Sequence, residues 1–583
     1  MDIFDVLSLI GGLCLFLFGM NLMGEALERS AGSKLRTLLE KLTSNKFAGL
    51  LTGLAVTSVI QSSSATTVMV VGFVNSGLMS LKQAINVIMG ANIGTTVTAW
   101  VLSLGGIDSD VLWLQLLKPT SFTPVLALIG IGLHMFAKSD KKKEIGTIFL
   151  GFATLMFGMD TMSGAVAGLA DIPQFRELFI MFKNPILGVL AGAILTGIMQ
   201  SSSASVGILQ ALADATGQVS YGAAIPIIMG QNIGTCVTAL LSSVGTNKNA
   251  RRAAFVHLFF NIIGTCILLT VYTIVDLVFA PALFDEAVGF TGIAVCHSIF
   301  NVTCTCILLP MSGLFEKLVY KLVPDNEEKK EKTALLDERL MVTPPIALEQ
   351  CAHRAAELAA FSAQALTGSL SLMKNYSAEL AADIREKEEQ SDKYEDVLNT
   401  YLVKLSSHQI SAADNAEAAK LLKVIGDFER ISDHAVNILE SVEEMREKKI
   451  TLTPAAEKEL SVICGAVQEV TDYALQAFLH NDLDAAVQVE PLEEVIDTLR
   501  EKLRSSHIRR LQQGECTIIA GFIWSDLLTN LERTADHCSN IAGCVIDMAA
   551  ENLNLHESLR EMRNTNEDFK EKFKTYREKY SIA

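Results

Sequence analysis

Long apolar segments in the first 312 residues constrain the fold more than any other feature of this sequence. A helix needs about 20 apolar residues to cross a bilayer, and several stretches in this part of the chain reach that length. The predicted spans are residues 4–24, 82–104, 120–137, 145–169, 221–244, 253–279 and 289–312. The sequence therefore predicts an all-α, polytopic membrane domain over residues 1–312.

Two further apolar stretches, residues 47–78 and 186–219, are interrupted by Gly and Ser. Each is too short for two full crossings with a turn between them. Irregular backbone at membrane depth is tolerated only where protein or water covers it. We therefore expect each stretch to form a re-entrant helical hairpin.

The charge of the chain changes after the apolar part. Up to Pro310 the chain has 16 basic and 16 acidic residues, whereas the remainder has 32 basic and 49 acidic residues and accounts for the net charge of −17. Residues 313–345 are predicted to be a polar linker, residues 346–555 a helical bundle, and residues 556–583 a charged C-terminal tail. The acidity of this half argues against a nucleic-acid partner.

The membrane part repeats itself at a nearly constant offset. Three motifs recur in order, 139 or 140 residues later: Phe-Gly-Met at 18–20 and 157–159, Gln-Ser-Ser-Ser-Ala at 61–65 and 200–204, and Asn-Ile-Gly-Thr at 92–95 and 232–235. One offset shared by separate motifs indicates duplicated structural units. We place the repeats at about residues 4–137 and 145–279, with an extra span at 289–312.

The two repeats are predicted to have opposite orientations in the membrane. Basic residues form three clusters: one directly after the first span, at 29–46, and two others at 138–143 and 248–252. Cytoplasmic loops are enriched in Lys and Arg. Placing all three clusters in the cytoplasm puts the N-terminus outside and the C-terminal domain inside. Three crossings then separate the starts of the repeats, so the repeats are inverted, as in secondary transporters that bind substrate near the midplane.

The polar motifs within the hairpins are the strongest candidates for a binding site. They are Gln61, Ser62, Ser63 and Ser64 in the first hairpin, and Gln200, Ser201, Ser202 and Ser203 in the second. Such groups are costly in hydrocarbon unless they cap or join helices, or bind a ligand. Hydroxyls donate to an anion and accept toward sodium, and helix N-termini at a hairpin tip add N–H donors. Because no Lys or Arg is near either motif, a co-bound sodium ion would supply the positive charge that an anion needs.

The Asn-Ile-Gly-Thr motifs lie in the span that follows each hairpin. Their side-chain oxygen atoms belong to Asn92, Thr95, Asn232 and Thr235. Gly94 and Gly234 allow the helix to break. We interpret these motifs as lining the site, with a packing face of small residues as the alternative. His257 and His297 are interpreted as interhelical hydrogen-bond partners rather than proton carriers.

These motifs make residues 1–312 similar to the sodium-dependent phosphate (Na/Pi) cotransporter family. Members of that family have two QSSS motifs in inverted repeats, each followed by a GxNIGT stretch, and here these stretches begin at Gly90 and Gly230. The resemblance implies a transporter in the lipid bilayer, with inorganic phosphate and sodium as its substrates. It further implies that these ligands contact Gln61, Ser62, Ser63, Ser64, Asn92, Thr95, Gln200, Ser201, Ser202, Ser203, Asn232 and Thr235.

The C-terminal bundle, residues 346–555, resembles PhoU domains. The pattern E-R-x-x-D-H followed by Asn recurs at 429–437 and 532–540, an offset of 103. Carboxylates four residues apart share one helix face, and further acidic pairs at a similar offset are Glu388 with Asp392 and Glu493 with Asp497. The resemblance implies a regulatory domain that binds a divalent or iron metal through Glu429, Asp433, Glu532 and Asp536. Ordinary ion pairs within the bundle are the alternative.

The sequence therefore predicts a sodium-coupled inorganic phosphate symporter that works by alternating access and carries a cytoplasmic regulatory domain. A membrane-anchored phosphate sensor without transport and a transporter of another oxyanion remain alternatives. We find no nucleophile–base pattern, P-loop or zinc motif and do not expect an enzyme. The sequence leaves open whether the chain forms a homodimer.

Overall fold

The computed structural model describes residues 3–40, 45–77, 79–106, 119–172, 177, 181–324, 336–408, 410–549 and 567–582. Within these residues the regular secondary structure is helical, apart from one isolated β-bridge between Ser220 and Ala287. The chain divides into two compact units, Met1–Ile346 and Ala347–Ala583. The prediction of an all-α fold is confirmed.

The described helices of the first unit follow the order of the predicted repeats. They are α1 (Ile3–Glu40), α2 (Lys46–Ile60), α3 (Ser63–Asn75), α4 (Leu81–Ser103), α5 (Pro119–Phe136), α6 (Asp140–Val166), α7 (Pro185–Met199), α8 (Ser202–Thr216), α9 (Tyr221–Gly234), α10 (Cys236–Ser242), α11 (Lys248–Phe279), α12 (Phe290–Leu308) and α13 (Ser312–Leu322).

Six of the seven predicted spans are long and apolar enough to cross a membrane. They cover Ile3–Ser30, Leu81–Gly106, Asp140–Leu169, Tyr221–Ser242, Lys248–Phe279 and Phe290–Leu308. The seventh, predicted at residues 120–137, is helix α5 (Pro119–Phe136), and the residues just before it lie outside the described part of the chain. The chain is therefore a multi-pass membrane protein.

Each predicted hairpin is a pair of short helices that breaks at a glutamine. Gln61 lies between α2 and α3, and Gln200 lies between α7 and α8; their φ angles are 58° and 55°. A residue in this left-handed conformation ends a helix by turning the chain out of it. The serine that follows is extended and caps the next helix, so each QSSS motif forms the tip of a helical hairpin.

The two Asn-Ile-Gly-Thr motifs differ in their backbone. Helix α4 runs through Gly94 without a break, so the expectation that this glycine interrupts the helix is wrong. In the second repeat α9 ends at Gly234 and α10 begins at Cys236. The break predicted from the motif is therefore present in one repeat only.

Helices α1 and α6, which begin the two repeats, pack closely against each other in an antiparallel manner. A Cβ atom added to Gly19 would lie 2.3 Å from the backbone nitrogen of Leu155, and one added to Gly158 would lie 2.3 Å from that of Phe16. Farther along, Arg29 of α1 bonds to Glu144 of α6 at 3.0 Å. Residue numbers rise along α1 while they fall along α6, so these two helices run in opposite directions.

The second unit is a bundle of long helices. They are α14 (Pro344–Leu372), α15 (Ala378–Ser406), α16 (Ala412–Glu447), α17 (Pro454–His480), α18 (Leu483–Gln512), α19 (Ile518–Ala549) and α20 (Glu567–Lys579). The last helix lies in the predicted charged tail and packs on the bundle. Its Tyr576 is buried and donates a hydrogen bond to Gln488 at 3.1 Å.

Candidate functional site

The serine that follows each hairpin glutamine caps the returning helix. The hydroxyl oxygen of Ser62 accepts a hydrogen bond from the backbone N–H of Ala65 at 3.1 Å. The hydroxyl oxygen of Ser201 accepts the equivalent bond from Ala204 at 3.2 Å. Capping therefore accounts for one serine of each motif, and the other two are left for a different role.

The two hairpin tips meet, although they are more than 130 residues apart in the sequence. The hydroxyl of Ser64 donates a hydrogen bond to the backbone carbonyl of Gln200 at 3.4 Å. Both tips line one cavity of about 480 Å³, here called the serine cavity. The described residues that line it are Leu17, Met20, Asn21, Gly24, Glu25, Glu28, Ile60, Gln61, Ser62, Ser63, Ser64, Ala65, Met199, Gln200, Ser201, Ser202, Ser203 and Val342.

The serine cavity is suited to an anion through two helix N-termini. Ser63 begins α3 and Ser202 begins α8. The first N–H groups of a helix have no partner within the helix, and the helix dipole places partial positive charge there. Among the described residues that line the cavity, none is Lys or Arg. The donors at this site are thus uncharged, namely serine hydroxyls, backbone N–H groups and the side-chain amides of Asn21 and Gln200.

The two glutamines of the motifs have different surroundings. The side-chain oxygen of Gln61 accepts a hydrogen bond from the Thr98 hydroxyl at 3.0 Å, and its amide nitrogen donates to the carbonyl of Ser58. These bonds tie the first tip to α4 and to its own helix α2. The side chain of Gln200 is exposed. Gln61 is therefore held in place by the fold, whereas Gln200 presents its side chain at the surface of the second tip.

The Asn-Ile-Gly-Thr side chains are buried and bond to carbonyls one turn earlier in their own helices. Asn92 and Thr95 donate to Ile88 and Ala91, and Asn232 and Thr235 donate in the same way within α9. None of the four lines the serine cavity. The structure brings the two QSSS motifs together but leaves these residues behind the tips, and their role as ligands stays a prediction.

The two intramembrane histidines are buried in α11 and α12. The ring nitrogen Nε2 of His257 lies 3.4 Å from the side-chain oxygen of Asn92, which joins α11 to α4. Neither ring nitrogen of His297 has a hydrogen-bond partner in the described part of the chain. The interhelical bond predicted for these residues is therefore seen for His257.

Sequence reasoning missed the contribution of α1 to the cavity. Glu25 and Glu28 both line it, together with apolar side chains of the same helix. Both follow directly after the predicted span 4–24, within the helical segment Ile3–Ser30 that is long and apolar enough to cross a membrane, where carboxylates are costly and usually functional. Only the fold shows that they face the serine motifs.

The end of the predicted linker also reaches this unit. Residues 337–343, here called the strap, pack on α3, and Leu340 is fully buried. The buried carboxylate of Asp337 accepts a hydrogen bond from the Asn75 side chain at 2.7 Å and one from Arg339 at 3.1 Å. Val342 lines the serine cavity. The predicted polar linker thus ends in an ordered segment beside the first hairpin.

Replacing Asp337 with alanine is expected to release the strap from α3. The change leaves the buried Asn75 amide and the Arg339 guanidinium without their shared acceptor, which costs about 1–3 kcal/mol. Trypsin should therefore cleave after Arg339 about tenfold faster, because cleavage requires local opening. Mass spectrometry of the fragments identifies that cut. The matched control is Asp285→Ala, which removes an exposed partner of Lys183; equal protection of Arg339 in both variants would contradict the expectation.

In the second unit the predicted acidic motifs lie among further carboxylates. Burial, followed by the charge of Asp433, raises the pKa of Glu429 to about 7, with smaller effects from Glu395 and Asp392. Burial and the neighbouring Asp433 and Asp392 also raise the pKa of Glu388. The acidic pair on α15 therefore faces the motif on α16.

In the second acidic motif, on α19, an arginine compensates part of the negative charge. Burial raises the pKa of Glu532 and of Asp536, but Glu532 also accepts a short hydrogen bond from Arg500 at 2.5 Å. The motif histidines of the two halves, His434 and His537, stack with their ring centroids 5.6 Å apart. Within the described residues, no three His, Cys, Asp or Glu side chains are arranged to hold a metal ion. Metal binding by these motifs stays a prediction.

The raised pKa of Glu429 predicts a pH-dependent effect on stability. Its pKa rises from 4.5 to about 7 on folding, so the folded state binds the proton more tightly than the unfolded state. The stabilisation is complete below about pH 4.5 and is lost as the pH rises through about 7. Glu429→Gln has no charge to bury or to be repelled by Asp433. Relative to the wild type it should gain roughly 1 kcal/mol of stability as the pH rises from 5 to 8, after allowance for its partial exposure.

This gain in stability can be measured on the full chain at each of the two pH values. The protein is heated, and the temperature at which the buried thiol of Cys538 becomes accessible to a labelling reagent reports unfolding. The matched control is Glu447→Gln, at the exposed end of the same helix. The control should differ from the wild type by the same amount at both pH values. An equal difference for Glu429→Gln at both values would refute the raised pKa of Glu429.

Comparison with known families gives two matches. Residues 15–164 and 170–282 match the family described as Na+/Pi-cotransporter. Residues 355–442 and 460–545 match the PhoU domain. The first match contains both hairpin tips, and the second contains both E-R-x-x-D-H motifs.

Individual relatives extend these matches. “Putative inorganic phosphate export protein YjbB” from Salmonella typhimurium is 24% identical over 552 residues, which cover 93% of this chain and 97% of that protein. “Uncharacterized protein YqeW” from Bacillus subtilis is 30% identical over 311 residues, 53% of this chain and 95% of that protein. “Sodium-dependent phosphate transport protein 2B” from Homo sapiens is 35% identical over 154 residues, 23% of this chain and 22% of that protein.

Among solved structures, the crystal structure of PhoU from Pseudomonas aeruginosa matches 35% of this chain and 98% of its own length. The sequence identity is 23% and the TM-score is 0.33.

Proposed function

The chain belongs to the Na+/Pi-cotransporter family, with a PhoU domain after its membrane part, and from this premise we propose that it moves inorganic phosphate across the membrane together with sodium. The family is one of transporters rather than enzymes. Phosphate transport follows from the family, whereas sodium coupling, the direction of transport and the residues that bind the ligands are our proposal.

The observation that carries the proposal is the meeting of the two serine tips in one cavity. Four serines, Ser63, Ser64, Ser202 and Ser203, line it without serving as the N-cap. Their hydroxyls can donate to phosphate oxygens, Ser64 by exchanging its long bond to the carbonyl of Gln200 for one to the anion. The N-termini of α3 and α8 add backbone N–H groups. Donors from both repeats then surround one anion, so movement of one repeat against the other would expose it to alternate sides.

Sodium is proposed as the coupling ion because the cavity lacks a fixed cation. No described Lys or Arg lines it, and two carboxylates do. Phosphate would therefore enter a site that repels it unless a cation comes with it. Serine hydroxyls and helix-end carbonyls are suitable ligands for sodium. The name of the human relative, a sodium-dependent phosphate transport protein, is consistent with this ion.

The orientation and symmetry of the two repeats are part of the proposal. We propose inverted repeats, with the N-terminus outside and the PhoU domain in the cytoplasm, where it would regulate the transporter. The antiparallel packing of α1 against α6 supports inversion, because these helices carry the same Phe-Gly-Met motif. The Lys- and Arg-rich segments support the orientation.

Flux measurements in proteoliposomes test the proposed function. Labelled phosphate is offered with a sodium gradient in either direction, and choline replaces sodium in the control. Net movement of phosphate should follow the sodium gradient, and loading the vesicles on either side shows whether uptake or export is faster. Phosphate binding without flux under any gradient would favour a sensor, and preferential flux of sulfate would make the anion wrong.

A further inference from the structure

One carboxylate in the serine cavity lacks a partner. Glu28 is 8% exposed and lines the cavity together with both QSSS motifs. Its Oε1 atom is buried and has no hydrogen-bond partner among the described residues. A buried carboxylate is costly unless a hydrogen bond or a cation compensates it. Glu28 therefore presents an unused ligand atom at the site where the anion is expected.

The charged groups nearest to Glu28 are engaged with each other. Arg29, the next residue, bonds to Glu144 of α6 at 3.0 Å and lies 3.7 Å from Glu25 on its own helix. Glu25 also borders the cavity, but its side chain is 56% exposed. The arginine is therefore shared by two other carboxylates, and it balances the charge of Glu28 only in part.

Glu28 is close to the first hairpin tip. One turn earlier, a Cβ atom on Gly24 would lie 3.1 Å from the carbonyl oxygen of Ile60, the last residue of α2. Helix α1 thus runs against the end of α2, where helix-end carbonyls carry partial negative charge. Carboxylate, carbonyl and hydroxyl oxygens together form a typical environment for a hard cation.

The carboxylate occurs in one repeat only. The Phe-Gly-Met motifs align α1 with α6 at an offset of 139, and this offset pairs Glu28 with Ala167 and Glu25 with Gly164. The hairpin architecture is common to both repeats and does not need an acidic residue at this position. Glu28 is therefore an addition to the shared framework, placed where the two repeats meet.

From these observations we propose that Glu28 is a ligand for a sodium ion in the serine cavity, and that this ion makes phosphate binding depend on sodium. The inference rests on the proposed function, because it assigns a residue to the coupling ion. The carboxylate repels phosphate while the ion is absent and attracts the ion that neutralises it. Binding of sodium at Glu28 and binding of phosphate at the serine tips then strengthen each other by the same factor.

The test measures the phosphate Kd of the purified full chain with saturating sodium and with choline instead. The ratio of the two values is the coupling factor. In the wild type we expect a ratio well above one, and in Glu28→Gln a ratio about tenfold smaller, because the charged ligand is lost. Glu28→Asp, which keeps the charge, should restore much of the coupling. The comparison variant is Asp160→Asn, which changes an exposed carboxylate of α6 that does not line the cavity and should keep the wild-type ratio.

Each outcome bears on the proposal. A smaller ratio in Glu28→Gln with partial recovery in Glu28→Asp supports it. An unchanged ratio in Glu28→Gln overturns it. A wild type that binds phosphate equally with and without sodium would overturn the proposed sodium coupling itself. Failure of the Glu28 assignment would thus appear in the Glu28→Gln variant, whereas failure of sodium coupling would appear in the wild type.

Discussion

Replacing Gly230 with alanine is expected to prevent correct packing of the second hairpin and to abolish phosphate binding. A Cβ atom at this position would lie 2.0 Å from the carbonyl oxygen of Val189 and 2.9 Å from the nitrogen of Ala193, both backbone atoms of α7. Backbone cannot move aside as a flexible side chain can. Because ordinary overpacking already costs about 1–3 kcal/mol, we expect this overlap to cost more.

The same contact exists in the first repeat, so the experiment has an internal duplicate. A Cβ atom at Gly90 would lie 2.0 Å from the carbonyl oxygen of Leu50 in α2. Both variants should lose the monodisperse peak in size-exclusion chromatography. The matched control is Gly132→Ala in α5, where an added Cβ meets nothing within 4 Å and where alanine should be neutral or stabilise the helix by up to about 1 kcal/mol. A folded Gly230→Ala protein with wild-type phosphate affinity would refute the expectation.

Removing the hydroxyls of Ser64 and Ser203 together should weaken phosphate binding by about 100-fold or more. These equivalent serines line the cavity from opposite repeats, and neither is the N-cap of its helix. A hydrogen bond to a charged ligand contributes about 1.5–3 kcal/mol, which is at least tenfold in Kd for each hydroxyl. Each single variant should therefore lose about tenfold. Ser62 and Ser201 are less informative, because their loss also removes a cap.

The phosphate Kd at saturating sodium is the measurement for the serine variants. The matched control is Ser76→Ala, at the other end of α3, whose hydroxyl bonds to the carbonyl of Gly72 at 3.0 Å and does not line the cavity. Its Kd should stay within about twofold of the wild type. Wild-type affinity in the double variant would remove the serine tips from the phosphate site.

Much of the fold could be predicted from the sequence because it depends on local properties. The length of an apolar run decides whether a helix can span the membrane, and six of the seven predicted spans met that test. The seventh is the apolar helix α5, and the segment before it lies outside the described residues. The hairpins followed from Gly and Ser in apolar stretches, and the structure breaks both at the predicted motif.

The candidate site could be predicted only in part. The duplicated Gln-Ser-Ser-Ser motifs pointed to the cavity, but the residue type of Asn92 or Thr95 does not reveal which way its side chain turns. In the structure these side chains satisfy their own helix instead of lining the cavity. Glu28 was overlooked because its neighbours in space come from a hairpin more than 30 residues away in the sequence.

By itself, the sequence determined the all-α membrane architecture, the two hairpins and the family, because apolar length, residue type and a constant offset are properties of the chain read in order. Only the tertiary structure decided that Ser64 reaches Gln200, that Glu28 faces the same cavity, and that the strap packs on α3. These contacts join residues far apart in the sequence. They depend on how closely the helices approach one another and on which faces meet. A pattern of neighbouring residues in the sequence specifies neither.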